Sequence, residues 1–458
     1  MTERIIQDYI WDKKNCFNDL LIDIEFPDLI IKENPWEITP SELIFNKVIT
    51  QYKDTWSLIK GLYLFGCEVP LKKDSESTIR TDFLGVFEGT NHIVIIELKK
   101  SAQTERQAFT ELLGYASHIQ TIFLPMSKTD IAYILISPME ERIVKESVIN
   151  NILYERNTTF ALIPSWENDD VTTLKLKPWI PSLIEIDNLI NATFAENNFD
   201  IWKITWDGLP GEWSPLEKGD NPNNDMIDRM NTVASYTAQI METKGINGFI
   251  YCSQAYSEHR DFGHLTNAIV IGGLNPYQST KNRKILNDYP NASIHDASKT
   301  DIHQFTISDI IPEIKNKYFE ENDNLSLGDL SLSWSNQIAS IAFDVQKDLT
   351  TSLSTDWIQN SWGSFTWNTF QLNVLEDVMV HNFKINATGL LRELYIEYSK
   401  LDYKFIREHG TDNHPIYEDG DIPKYMIDIL NNQYFFRNFI RRLFNQNHTF
   451  DTDMDINT

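Results

Sequence analysis

Cysteine is scarce in this chain. Its 458 residues hold 3 cysteines, Cys16, Cys67 and Cys252. They are far apart and odd in number, which argues against a disulfide framework and for reduced thiols in a cytoplasmic protein. Long apolar runs are missing too. No stretch approaches the roughly 18 residues that a membrane span requires. The start, MTERIIQDYIWDKK, lacks the basic and apolar segments of a signal peptide. No Cys/His cluster has zinc spacing; His259 and His264 are close, but without thiolates they read as solvent-facing polar residues. Positive charge is in short supply: 40 Lys and Arg stand against 66 Asp and Glu, a net charge of −26. The deficit is even, with 19 basic and 31 acidic residues in 1–200 and 21 and 35 in 201–458. No basic domain is therefore set aside for phosphate binding. No repeat of fixed period is present.

What is present is a well-filled globular composition, 41% hydrophobic and 12% aromatic. The length suggests two or three domains. The most informative stretch is RTDFLGVFEGTNHIVIIELK, residues 80–99. It predicts a hairpin of two apolar strands with charges at its open end. A two-residue turn at Gly89-Thr90 would pair 86 with 93 and 84 with 95, and so set Asp82 opposite Glu97. Facing residues in an antiparallel pair have Cβ atoms about 5 Å apart. Alternation puts Lys99 on the face of Glu97 and turns Leu98 and Lys100 away. Two buried carboxylates that close repel each other. A hard cation between them removes the conflict, and Mg²⁺ prefers such oxygens. Mg²⁺ polarises a phosphodiester and acidifies a bound water, while a neighbouring Lys neutralises developing charge. The competing reading is a solvated hairpin end.

At these residues the chain resembles the PD-(D/E)xK nuclease superfamily, with the restriction-endonuclease-like fold. Asp82 and Glu97-Leu98-Lys99, with fourteen residues between Asp82 and Glu97, match the family's pattern, except that Thr81 stands where the family often has Pro. The family commonly follows its Lys with a helix carrying a Gln and, eight residues on, a Tyr; here these are Gln107 and Tyr115. It often precedes the hairpin with a helix carrying a Glu, matched more loosely by Glu42. The resemblance covers roughly residues 38 to 165. It implies a Mg²⁺-dependent phosphodiesterase, with Mn²⁺ able to substitute, acting on nucleic acid and on DNA before RNA. It implies metal ligation by Asp82, Glu97 and the Leu98 carbonyl, with Glu42 either a further ligand or a first-turn charge. Lys99 would activate water and Gln107 orient it. Tyr115 sits on its helix's inner stripe, so packing is its first reading. With this acidic surface, a protein partner or a homo-oligomer would help deliver substrate. A nuclease core fused to another region suits a restriction or anti-phage defence effector. The alternative is a regulatory or binding protein that keeps the fold without catalysis.

The expected fold class is α/β. Residues 1–37 read as an N-terminal extension on the core. Residues 38–180 read as the nuclease-like domain, in the order αβββαβαβ around a mixed sheet. SWENDDVTTLKLKPWIPS, 165–182, reads as a polar joint, and 183–197 holds a short helix. Residues 198–325 read as a second α/β domain, with a helix from 225, strands NGFIYCS and NAIVIGGL, and SIHDA as a weaker strand. Residues 328–450 read as a helical C-terminal domain, including FQLNVLEDVMVHNFKI, and 451–458 as an acidic tail.

Other features carry ordinary readings first. Gly272-Gly273 with Lys281, Arg283 and Lys284 could cradle a phosphate, but a strand-to-helix turn is favoured. Trp202, Trp206 and Trp213 could stack on bases, but gap filling is favoured. Arg437, Arg441 and Arg442 lie on an amphipathic helix with a Phe stripe.

Overall fold

The computed structural model describes residues 2–32, 37–71, 79–101, 104, 107–155, 157–190, 192–194, 198–206, 222–256, 267–312, 325–350, 361–365, 380–410 and 439. The chain divides into two compact units, Met1–Ile30 with Ile44–Ile186, and Ile31–Leu43 with Asp187–Thr458. The stretch read as one N-terminal extension is thus shared between them. Both units are α/β in composition.

In the first unit, helix α1 (Glu3–Asp12) buries Ile6 and Ile10. Helix α2 (Pro40–Ile59) begins with Pro at its first position, where a missing N–H costs nothing. Its stripe Ile44, Val48, Ile49, Tyr52 and Trp56 is buried, as the helical spacing predicts. Tyr52 and Trp56 rest on Phe160, with ring centroids 4.6 and 5.9 Å away. Strands β1 (Leu62–Leu71), β2 (Ile79–Phe87) and β3 (Ile93–Leu98) form an antiparallel meander. Helix α3 (Ala108–Ile122) then carries the chain to β4 (Ile131–Ile136), which runs parallel to β3. Helix α4 (Arg142–Leu153) leads to β5 (Thr158–Glu167), parallel to β4. All of β4, and β3 after its first residue, are buried, in keeping with their apolar sequences, which Glu97 alone interrupts.

The expected joint at 165–182 is instead largely strand. Residues Asp170–Pro178 form β6, antiparallel to β5, and close a six-stranded sheet in the order β1-β2-β3-β4-β5-β6. Asn168 and Asp169 make the turn at φ 50° and 58°. Asn and Asp tolerate that left-handed conformation, and a two-residue hairpin of this kind demands it twice. The alternation in DVTTLKLKP was the available signal; the charges around it masked it.

Helix α5 (Leu183–Ile190), the expected short helix, spans the division at Ile186, and β7 (Phe199–Trp206) follows in the second unit. Trp202 and Trp206 thus lie on a strand. Helix α6 (Asn224–Thr243) and strands β8 (Gly248–Ala255) and β9 (Asn267–Leu274) follow as expected. After helix α7 (Pro276–Asp288), SIHDA enters helix α8 (Ile294–Lys299), not a strand, because Ser293 and Asp296 form a capping box. Helix α9 (Leu327–Thr350) packs with α6 over Ile204, Trp206, Ile250, Ile269 and Ile271. Strands β10 (Ser361–Phe365), β11 (Val380–Asn382) and β12 (Asn386–Thr388) join the same antiparallel sheet. The C-terminal region is therefore not purely helical, and Val380–Asn382 within FQLNVLEDVMVHNFKI is strand. Helix α10 (Gly389–His409) is as expected. Most of FQLNVLEDVMVHNFKI, Trp213, His259, His264, Arg437, Arg441, Arg442 and the acidic tail lie outside the described residues.

One close approach positions the hairpin. Leu64 pairs with Gly85 and Gly66 with Leu84, so β1 bulges at Phe65. A Cβ on Gly85 would sit 2.8 Å from the Tyr63 carbonyl oxygen and 3.0 Å from Leu62 Cδ1. Gly85→Ala should therefore cost about 1–3 kcal/mol in urea unfolding, since the backbone of β1 has to move.

Candidate active site

The hairpin pairs Val86 with Ile93, Leu84 with Ile95 and Phe83 with Ile96, the register the sequence predicts. The paired register ends at Phe83 and Ile96; just beyond it Asp82 accepts from the Leu98 N–H, and its charge acts on Glu97. The turn is looser than expected: Thr90 N–H bonds the Phe87 carbonyl at 3.2 Å, and Gly89 takes φ 74° at its third position. That φ is the one such a turn needs Gly for. The register survives because the inward apolar sets of both strands would invert with a slip of one residue.

Asp82 accepts two hydrogen bonds, from the Leu98 N–H to Oδ2 at 2.7 Å and from Gln7 Nε2 to Oδ1 at 3.0 Å. Burial pushes its carboxyl up to about 6, the Leu98 bond and the Lys99 charge opposing. Glu97 is 2% exposed. Burial raises its pKa strongly, and the charge of Asp82 adds to the effect. Its Oε1 accepts from Lys99 Nζ at 2.5 Å, while its Oε2 is buried without a partner. Lys99 also donates to Glu111 Oε2 at 2.5 Å. Burial works against the ammonium, but Glu97 and Glu111 outweigh it and raise its pKa. Burial likewise raises Glu111, and its contacts with Glu97 and Lys99 bring it below the ordinary value. Tyr115 is buried on the same helix, its phenol pushed up by burial and by the charges of Glu97, Glu111 and Asp82.

Asp82, Glu97, Lys99 and Tyr115 are thus brought together, and Leu98 enters through its peptide N–H. Gln107 is exposed at the start of α3, and the residue of that helix that reaches Lys99 is Glu111. Glu42 is committed elsewhere. Its Oε2 accepts from the Thr39 N–H at 2.8 Å, Thr39 Oγ1 accepts from the Glu42 N–H at 3.2 Å, and Lys32 bonds its Oε1 at 2.7 Å. This capping box explains Glu42 as a first-turn charge; burial raises its carboxyl, and Lys32 and Thr39 more than offset that. Sequence reasoning missed Glu111, Gln7 and Glu3, whose carboxylate accepts the Lys100 N–H at 3.1 Å. Glu111 was findable, four residues before Tyr115 on one helix face. Gln7 had no local signal.

Three acids lie around one ammonium; Glu97 Oε2 is buried with no donor, and the Glu97 and Glu111 carboxyl groups also act on each other. Hard oxygens short of positive charge suit a divalent cation, which Mg²⁺ sites commonly provide with one or two carboxylates plus water. Asp82 and Glu97 fit that pattern. Among the described residues no group of three or more His, Cys, Asp or Glu side chains is arranged to hold a metal. The phosphate-cradle reading of the second unit does not hold. Gly272 and Gly273 lie within β9, and Lys281 donates to the Thr300 carbonyl at 2.9 Å. Trp206 is buried and Trp202 donates to Ser335 at 3.0 Å, so both fill the fold. The cysteines are free thiols, and no described helix is long and apolar enough to cross a membrane.

A carboxyl raised on folding from 3.8 to about 6 holds its proton more tightly in the folded state. Its effect on stability is therefore most favourable below pH 4 and is lost as pH rises to about 6. In chelator, wild-type protein should lose on the order of 2–3 kcal/mol over that window from this group. Asp82→Asn should remove that part of the slope in urea titrations at successive pH values. In comparisons with known proteins, the chain matches no family model, no curated protein and no solved structure, so what it does has to be read from this geometry.

Proposed function

We propose that the chain is a Mg²⁺-dependent phosphodiesterase of the PD-(D/E)xK type that hydrolyses DNA. The observation that carries this reading is the meeting of Asp82 and Glu97 at the buried end of one hairpin, with Glu97 Oε2 unpartnered and Lys99 alongside. The order of elements supports it as well: a helix, an antiparallel meander, a crossover helix and a parallel strand. Asp82 and Glu97 would hold the cation, with the Leu98 carbonyl as a further oxygen donor. When bound, the ion supplies Lewis acidity toward the phosphodiester and the attacking water. Lys99 would orient that water or donate to a phosphoryl oxygen as charge builds there. Glu111 would hold the ammonium in place. In this reading the second unit acts as the recognition region of a restriction or anti-phage defence effector, and a partner or oligomer offsets the acidic surface.

A second reading has its own observation. Lys99 between buried Glu97 and partly exposed Glu111 is an ion triad, which can serve packing alone. The two readings separate in one experiment. Supercoiled plasmid, linear duplex, single-stranded DNA and RNA are incubated with and without Mg²⁺, using wild type, Asp82→Ala, Glu97→Gln and Lys99→Ala. The nuclease reading expects Mg²⁺-dependent cleavage that falls at least about 100-fold in each variant. Glu97→Gln should also lower the melting temperature in chelator, because Lys99 loses one carboxylate of its buried ion pair. Absence of cleavage, with Mg²⁺ leaving the melting temperature unchanged, would leave the triad as a packing device.

A further inference from the structure

Helix α1 reaches the site at successive turns. Glu3 bonds the Lys100 amide, and Gln7, one turn on, bonds Asp82. Arg4 bonds Glu68, a strand residue held at φ 46°. By the β1–β2 register, Glu68 lies across from Asp82. Gln7 is 5% exposed, so its amide is nearly withdrawn from water. A carboxylate can only accept, so it is the amide nitrogen that faces Asp82.

The choice of donor is informative. Both bonds to Asp82 come from neutral groups, the Leu98 peptide and the Gln7 amide. The nearby ammonium of Lys99 bonds Glu97 and Glu111 instead. A buried carboxylate with no cation bonded to it costs stability. Two neutral donors fix the orientation of Asp82 without forming an ion pair with it. Their arrangement is that of outer-shell partners that orient a ligating carboxylate.

We propose that Gln7 is a positioning residue for the cation-binding carboxylate Asp82, and that α1 is therefore an integral part of the catalytic unit. This rests on the phosphodiesterase reading above. The test uses the full chain, with Mn²⁺ binding followed by titration calorimetry, plasmid cleavage by kcat and KM, and melting temperature in chelator. Gln7→Met keeps length and removes the donor. It should weaken Mn²⁺ binding and lower kcat by roughly 10–100-fold with KM for DNA unchanged. Gln7→Lys restores a donor but brings charge; it should melt at or above the wild-type temperature and still lose Mn²⁺ binding. A purely structural Gln7 would show in Gln7→Met as a lower melting temperature with Mn²⁺ binding and kcat of the folded protein unchanged. Gln7→Met or Gln7→Lys that binds Mn²⁺ and cuts like wild type overturns the inference alone. Wild-type protein that neither binds Mn²⁺ nor cuts overturns the phosphodiesterase reading and this inference with it.

Discussion

Repulsion between Asp82 and Glu97 sets what their neighbours in the first unit must supply. Water would relieve it, but the strands that carry these residues are interior to the sheet. The relief is therefore built from neighbours. Lys99 neutralises part of the charge, α3 supplies Glu111 to hold Lys99, and α1 supplies an amide for Asp82. Each of these helices has its own apolar reason to pack, in Ile6 and Ile10 or in Leu112, Tyr115 and Ile119. The polar residues ride on elements that apolar burial has already placed. That ordering matters energetically, because a buried ion pair gives little net stability while its loss is expensive.

Legibility followed the range of the interaction. The αβββαβαβ order, the hairpin register and the face shared by Asp82, Glu97 and Lys99 were all legible, because periodicity and register are local. The β5–β6 hairpin was not read, since its Asn168-Asp169 turn sits among charges that suggest a loop. Ser293 and Asp296 together signal a helix start, which outweighed the weak apolar look of SIHDA. Glu42 carried two compatible readings, and Thr39 three residues before it was the deciding neighbour. Gln7 was beyond reach, because nothing near it in sequence mentions Asp82.

The second unit shows the opposite balance. Its sheet is assembled from strands at 199–206, 248–255, 267–274, 361–365 and 380–388, so its edges come from far down the chain. Strands as short as Val380–Asn382 and Asn386–Thr388 carry no periodic signal of their own. They are strands because β8 offers them a hydrogen-bonding edge. A reading based on composition turns such segments into ends of helices.

The hydrogen bond between Gln7 and Asp82 joins residues 75 positions apart. During synthesis the first helix leaves the ribosome well before the β-ribbon it must brace, and the ammonium-bearing rung emerges later still. Closing so long a loop has an entropic cost that one neutral hydrogen bond offsets only in part. The contact therefore depends on the anchoring of the first helix by Ile6 and Ile10, whose burial holds the amide where the ribbon needs it.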